Sequence, residues 1–152
     1  MANLANSKDL EAIVTSVLKP EGYRKKGANW YSETDDCILM VNLQKSRWGG
    51  QFYINLAVLV TDLNKNNTPQ EYDCHIRARL DEVAPNSNEV KKALDLEDTT
   101  VPTETKIETL FNTLSTYGTP FLLSLNTLSK IKEKLHVALA SSRASSEDAA
   151  ST

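Results

Sequence analysis

Seven side chains have the types and spacing of a polar recognition surface: Asn42, Gln44, Tyr53, Asn55, His75, Arg77 and Arg79. They recur at alternate positions in three runs whose intervening residues are largely apolar, so each run, read as a strand, puts its members on one face. Arginine offers a planar fork for carboxylate or phosphate, and the amides add donors and acceptors beside it. Such a face suits a small anionic ligand or a protein partner with an acidic surface. The same residues also describe a solvated sheet face that arginine and asparagine keep soluble. A second group, Arg24, Lys25, Lys26, Lys45, Arg47 and Trp48, falls on the first strand and at a hairpin tip. An exposed tryptophan there can anchor an interface, and one folded back on a helix would not.

Support for catalysis is thin. The chain has two histidines, His75 and His136, and His136 falls at the end of a helical stripe. Cys74 adjoins His75, but neighbours on a strand point to opposite faces, so they do not form a Cys/His pair. No HExxH, CxxC, GxGxxG or P-loop pattern occurs. Asp73 and His75 can reach one metal from the same strand face, but two ligands without a third make a poor site. No metal and no cofactor are therefore expected. If the face were an active site, Arg77 and Arg79 would hold the anion of a phosphate-bearing or nucleotide-like substrate, with His75 as acid or base.

The elements that position these residues follow from periodicity. Asn6-Ser7 offers an N-cap, acids occupy the first turn, and Leu10, Ile13, Val14, Val17 and Leu18 mark one face of a helix over Ser7–Leu18. Pro20 and Gly22 end it. Tyr23–Ser32 reads as a first strand. Residues 37–44 and 52–60 alternate on either side of Trp48-Gly49-Gly50, which predicts a hairpin. One hairpin face holds Leu39, Val41, Leu43, Phe52, Ile54, Leu56 and Val58. The other holds Asn42, Gln44, Tyr53 and Asn55 near the turn, then Ile38, Met40, Ala57 and Leu59. Residues 61–70 read as a polar loop. Tyr72–Leu80 alternates as a strand would, with Cys74, Ile76, Ala78 and Leu80 towards the core, although Ile76, Leu80 and Val83 also fit a helix. Glu89–Leu96 reads as a short helix. The C-terminal third reads as a helical hairpin: Ile107, Leu110, Phe111 and Leu114 on one member, and Phe121, Leu122, Leu125, Leu128, Ile131 and Leu135 on the other. Gly118, Thr119 and Pro120 mark the turn between them.

With 152 residues the chain suits one domain, expected over residues 1–139, followed by a disordered Ser/Ala-rich tail over 140–152. The net charge of −3 argues against a general binder of nucleic acid, and the three Phe, five Tyr and two Trp are too scattered for a stacking platform. The sum hides two unlike regions. Residues 19–79 carry nine basic and seven acidic side chains, and residues 80–152 carry seven and eleven. A local anion site thus survives the overall acidity. Residues 1–7 show neither a basic nor an apolar leader region, and no apolar run reaches the roughly 20 residues of a spanning helix, so no membrane association is expected. Cys37 and Cys74 read as separate buried thiols of a cytoplasmic protein.

Several spaced segments carry a resemblance. Tyr23-Arg24-Lys25-Lys26-Gly27, Trp30-Tyr31, Val41–Ser46, Phe52–Asn55 and Cys74–Leu80 occur in the order seen in the bacterial domain-of-unknown-function family 4304. The similarity runs from about Leu10 to Val83 and is less distinct in the helical third. It implies a small bacterial cytosolic protein and no particular activity. The expected fold is α+β: an antiparallel meander of about four strands, with the N-terminal helix and the C-terminal helical hairpin on one face. The expected function is a non-catalytic protein-binding module, in its most concrete form an immunity-type protein that caps a toxin. The alternative is a small-ligand or phosphate-bearing substrate site on the polar sheet face.

Overall fold

The computed structural model describes residues 3–137 and 140. The first helix, α1, spans Ser7–Leu18. Its start is set by a reciprocal cap, in which the Asn6 side chain accepts the Asp9 N–H and the Asp9 carboxylate accepts the Asn6 N–H. It buries Leu10, Val14, Val17 and Leu18, the stripe expected from spacing.

Five strands follow, where about four were expected: β1 (Arg24–Lys26), β2 (Asn29–Glu33), β3 (Cys37–Lys45), β4 (Phe52–Val60) and β5 (Ile76–Arg79). They form one antiparallel meander in the order β1-β2-β3-β4-β5. The extra strand arises because Tyr23–Ser32 is itself a hairpin. Lys26 pairs with Asn29, and Gly27 opens the two-residue turn at φ +62, a conformation that glycine adopts without steric cost.

The β3–β4 register centres on Trp48-Gly49, and this tip is docked rather than free. Phe52 N–H donates to Leu94 O at 2.8 Å, and Leu96 N–H donates to Gly50 O at 3.0 Å. The backbones approach so closely that a Cβ on Gly50 would lie 2.8 Å from Glu97 Cγ and 3.1 Å from Glu97 N. Gly50→Ala is therefore expected to lower stability by about 1–3 kcal/mol through overpacking, read as a shift of the urea midpoint. An unshifted midpoint would show that residues 94–98 move aside freely.

The segment Tyr72–Leu80 is a strand only over β5. A 3₁₀ turn at Glu71–Asp73 precedes it, and helix α2 (Leu80–Val83) follows at once. Both periodicities in the sequence are thus real, one after the other. Glu82 Oε1 accepts the Arg79 N–H at 3.0 Å and so ends the strand by starting the helix. Helix α3 spans Ser87–Ala93.

Helix α4 (Thr103–Thr113) does not stop at Gly118, contrary to the expected turn. The chain passes through a π-helical segment at Leu114–Gly118 into α5 (Thr119–Leu123). Gly118 is right-handed, with φ −70. It is small because a Cβ there would meet Leu114 Cδ1 at 2.7 Å and Leu80 Cδ1 at 3.2 Å. Thr119 N–H reaches back to Leu114 O, and the widened turn accommodates Pro120, which has no N–H to donate. The break between the C-terminal helices falls later, where Thr34 Oγ1 donates to Asn126 O and Leu128 N–H donates to Asp36 Oδ2. A last helix covers 128–137. Its apolar stripe ends at Ile131, since Leu135 and Val137 are exposed. Of the expected Ser/Ala-rich tail, residues 141–152 lie outside the described residues.

The sheet separates two apolar clusters. The larger joins Leu39, Val41, Ile54, Leu56 and Val58 to side chains of α1, α3 and α4. The smaller, on the opposite face, contains Tyr31, Ile38, Met40, Ala57, Leu59 and Cys74. The chain between β4 and β5 reaches this second cluster through Tyr31, whose hydroxyl donates to Pro69 O at 2.8 Å, and through Cys74. Cys74 therefore does not join Ile76 on the helical side as expected, because the 3₁₀ turn interrupts the alternation before β5. Cys37 and Cys74 are free thiols on opposite faces of the sheet.

Burial pushes both thiols up, Cys74 from an ordinary value near 9.0 to about 12, with Glu71 and Asp73 adding to the effect. Only the thiolate is nucleophilic, so neither should react with a disulfide reagent in the folded chain at pH 8, and both should react in urea. Fast labelling of the native protein would contradict this burial. The folded state holds the Cys74 proton more tightly than the unfolded state does. That contribution to stability is complete below pH 9.0 and is lost as pH rises towards about 12.

Candidate functional site

The register brings one residue from each strand into a single row on the face away from the helices. Lys26 pairs with Asn29, Asn29 with Asn42, Asn42 with Asn55, and Asn55 with Arg79. Three asparagines thus lie between two cations. The amides form a hydrogen-bonded chain: Asn55 Nδ2 donates to Asn42 Oδ1 at 2.9 Å, and Asn42 Nδ2 donates to Asn29 Oδ1 at 2.7 Å. Asn55 Nδ2 also donates to Gln44 Oε1 at 2.9 Å. Asn55 is 5% exposed, and both N–H groups of its buried amide are satisfied, by Asn42 in the row and by Gln44 beside it.

At the β5 end the Arg79 guanidinium stacks over the Tyr53 ring, 3.9 Å from its centroid. Stacking holds the planar group without using its N–H donors. A hollow of about 370 Å³ opens beside it, lined by Gln44, Asn55, Glu71, Arg77, Arg79 and Glu82. Its charges balance. Arg77 Nε lies 3.6 Å from Glu71 Oε1, and Glu82 sits against the Arg79 backbone N–H. The hollow is therefore less cationic than Arg77 and Arg79 alone suggest.

Asn42, Gln44, Tyr53, Asn55, Arg77 and Arg79 share this face, and His75 stands apart from them. His75 is exposed, and its Nδ1 accepts the Val60 N–H at 2.9 Å, which closes the edge of β4 where the ladder to β5 runs out. Asp73 is likewise committed to its own turn, where it accepts the Gln70 N–H. Among the described residues, no group of three or more His, Cys, Asp or Glu side chains is placed to hold a metal ion.

The second group divides. Arg24 pairs with Glu33. Lys25 pairs with Glu11 at 2.7 Å and lies over the Trp30 ring. Lys26 ends the polar row. Lys45 faces the helical side, in a separate cavity that it lines with Asn6, Gly50 and Glu97. Among the described residues, Lys26, Lys45, Arg47 and Arg79 form no ion pair. Trp48 is 83% exposed, so it does not fold back on a helix. Asn29, Glu71 and Glu82 also belong to the site and lie outside the residues expected from the sequence. The Thr34-Asp35-Asp36 turn, which sets the β2–β3 register, is the signal that could have placed Asn29 opposite Asn42.

Fold and site together define a class: an α+β domain built on a five-stranded meander, with helices on one face and a polar row on the other. The family model described as domain of unknown function (DUF4304) matches residues 14–124, and the chain belongs to that family. The match continues through α4 and α5, beyond the segments that carry the resemblance in sequence. No curated protein and no solved structure matches the chain.

Proposed function

We propose that this protein is a non-catalytic binding module of the bacterial cytosol. It presents the polar sheet face and Trp48 to a protein partner with an acidic surface. An immunity-type role, in which the domain caps a toxin, is the most concrete form of this reading. One observation carries it: Arg79 is held flat on Tyr53, at the end of an internally hydrogen-bonded amide row, with its guanidinium N–H donors unpaired by any carboxylate among the described residues. A cation fixed by stacking loses little side-chain freedom when it meets a partner carboxylate. The exposed Trp48 supplies the kind of aromatic anchor that such interfaces use. With its Nδ1 committed to the Val60 N–H, His75 stands apart from the arginines, which favours binding over acid–base chemistry at this face.

The hollow beside Arg79 favours a second reading, a small carboxylate or phosphate ligand. Glu71 and Glu82 weaken it by balancing the charge there. Co-purification with the product of the neighbouring reading frame tests the first reading. Trp48→Ala and Arg79→Gln should each lose the partner, and retention by both variants would contradict it. A thermal-shift screen with nucleotides and sugar phosphates tests the second, because a ligand that binds only the folded chain raises Tm.

A further inference from the structure

We infer that the row is read by an extended acidic segment of the partner that runs across the strands and places one carboxylate at Arg79 and another at Lys26. This rests on the reading of the face as a site for an acidic protein. The two cations are the ends of one register row, and neither has an ion pair among the described residues. Each end is rich in donors. Arg79 stands beside Gln44, whose Oε1 is already engaged by Asn55, so Gln44 offers its Nε2 outwards. Lys26 stands beside Asn29, whose Oδ1 is already engaged by Asn42.

Spacing fixes the segment. Five strands span four intervals of about 4.8 Å, so the ends lie about 19 Å apart. An extended chain advancing about 3.3 Å per residue covers that distance in about six residues. Six is even, so side chains at i and i+6 of an extended segment point to the same side and reach both cations together. The floor between them argues for extended chain over helix. Asn29 and Asn42 are only half-buried, and their remaining amide groups can bond a backbone whose N–H and C=O are free. A helix has already used those groups internally. The row carries one cation at each end, with the Arg77–Glu71 pair and Glu82 beside Arg79, and this sparse, partly balanced charge suits two single carboxylates better than the continuous charge of a nucleic-acid strand.

The test is a titration of the ¹⁵N-labelled full chain, following the side-chain amide signals of Asn29, Asn42 and Asn55. The probes are uncharged Gly/Ser/Thr peptides with capped ends and two glutamates, at i and i+6 in one and at i and i+3 in the other. The i,i+6 peptide should shift all three signals and bind about tenfold tighter, the gain of one added charged contact of ordinary strength. Lys26→Gln and Arg79→Gln should each reduce it to the level of the i,i+3 peptide. Equal affinity for the two spacings, with loss on Arg79→Gln, would overturn the two-point arrangement and leave the acidic-partner reading standing. No response to either peptide, or a stronger response to a single-stranded oligonucleotide, would overturn the inference. The partner experiment above would then decide the broader reading on its own.

Discussion

Lys106→Met is expected to destabilise the chain by about 2–4 kcal/mol and to loosen the tip that carries Trp48. Lys106 is 4% exposed, and its ammonium donates to Asp95 O at 2.8 Å and also to Asp98 O. Those carbonyls belong to the segment on which the β3–β4 hairpin is docked, through Phe52 N–H to Leu94 O and Leu96 N–H to Gly50 O. Methionine keeps most of the apolar stem but leaves both carbonyls without their charged donor. Charged hydrogen bonds of this kind are worth about 1.5–3 kcal/mol each, and the relief of a desolvated ammonium offsets part of the loss. Urea unfolding measures the first effect. Faster hydrogen exchange at the Phe52 and Leu96 amides measures the second. An unchanged midpoint with unchanged exchange would mean that the lysine is not what holds the tip.

Arg79→Glu is expected to cost at least about thirtyfold in partner affinity, the scale of a central interface residue, while leaving the fold intact. The fold survives because the β4–β5 ladder and the Arg79 backbone N–H to Glu82 are main-chain contacts that the substitution keeps, and only the side-chain stacking on Tyr53 is lost. Affinity falls because the side chain over Tyr53 reverses its charge at the end of the row. Arg77→Gln should cost much less. Arg77 already lies against Glu71, so it has less to offer a partner. Calorimetric titration of the two variants separates a site centred on Arg79 from a diffuse basic patch, in which the two losses would be alike. A diffuse patch would also lose affinity steeply with salt.

How much of this was legible in the sequence differs by element. The α1 boundaries, the β3–β4 hairpin and the division of its two faces follow from local signals: a capping pair, the Trp48-Gly49-Gly50 turn sequence and strict alternation. Gly118 followed by Thr-Pro reads as a common helix end, whereas here the glycine gives room to Leu114 Cδ1, one turn back, and to Leu80 Cδ1 from another part of the chain. No local pattern contains that contact. His75 departs from the alternation for a similar reason. Alternation puts it in line with Arg77 and Arg79, but the strand begins only at Ile76, and the ring turns to the sheet edge to meet the Val60 N–H. Six of the seven expected face residues do share the face, because strand periodicity decides that alone. The balancing carboxylates, Glu71 and Glu82, come from a 3₁₀ turn and a one-turn helix on either side of β5, and only the tertiary path brings them beside the arginines.

The most direct test of the account is a hydrogen-exchange footprint of the chain with and without its partner. Protection should concentrate on β1 to β5 around Lys26, Asn42, Asn55 and Arg79 and on the tip at Trp48, with α1 and α4 unchanged. Protection confined to α1 and α4, with the sheet face and Trp48 unaffected, would contradict it.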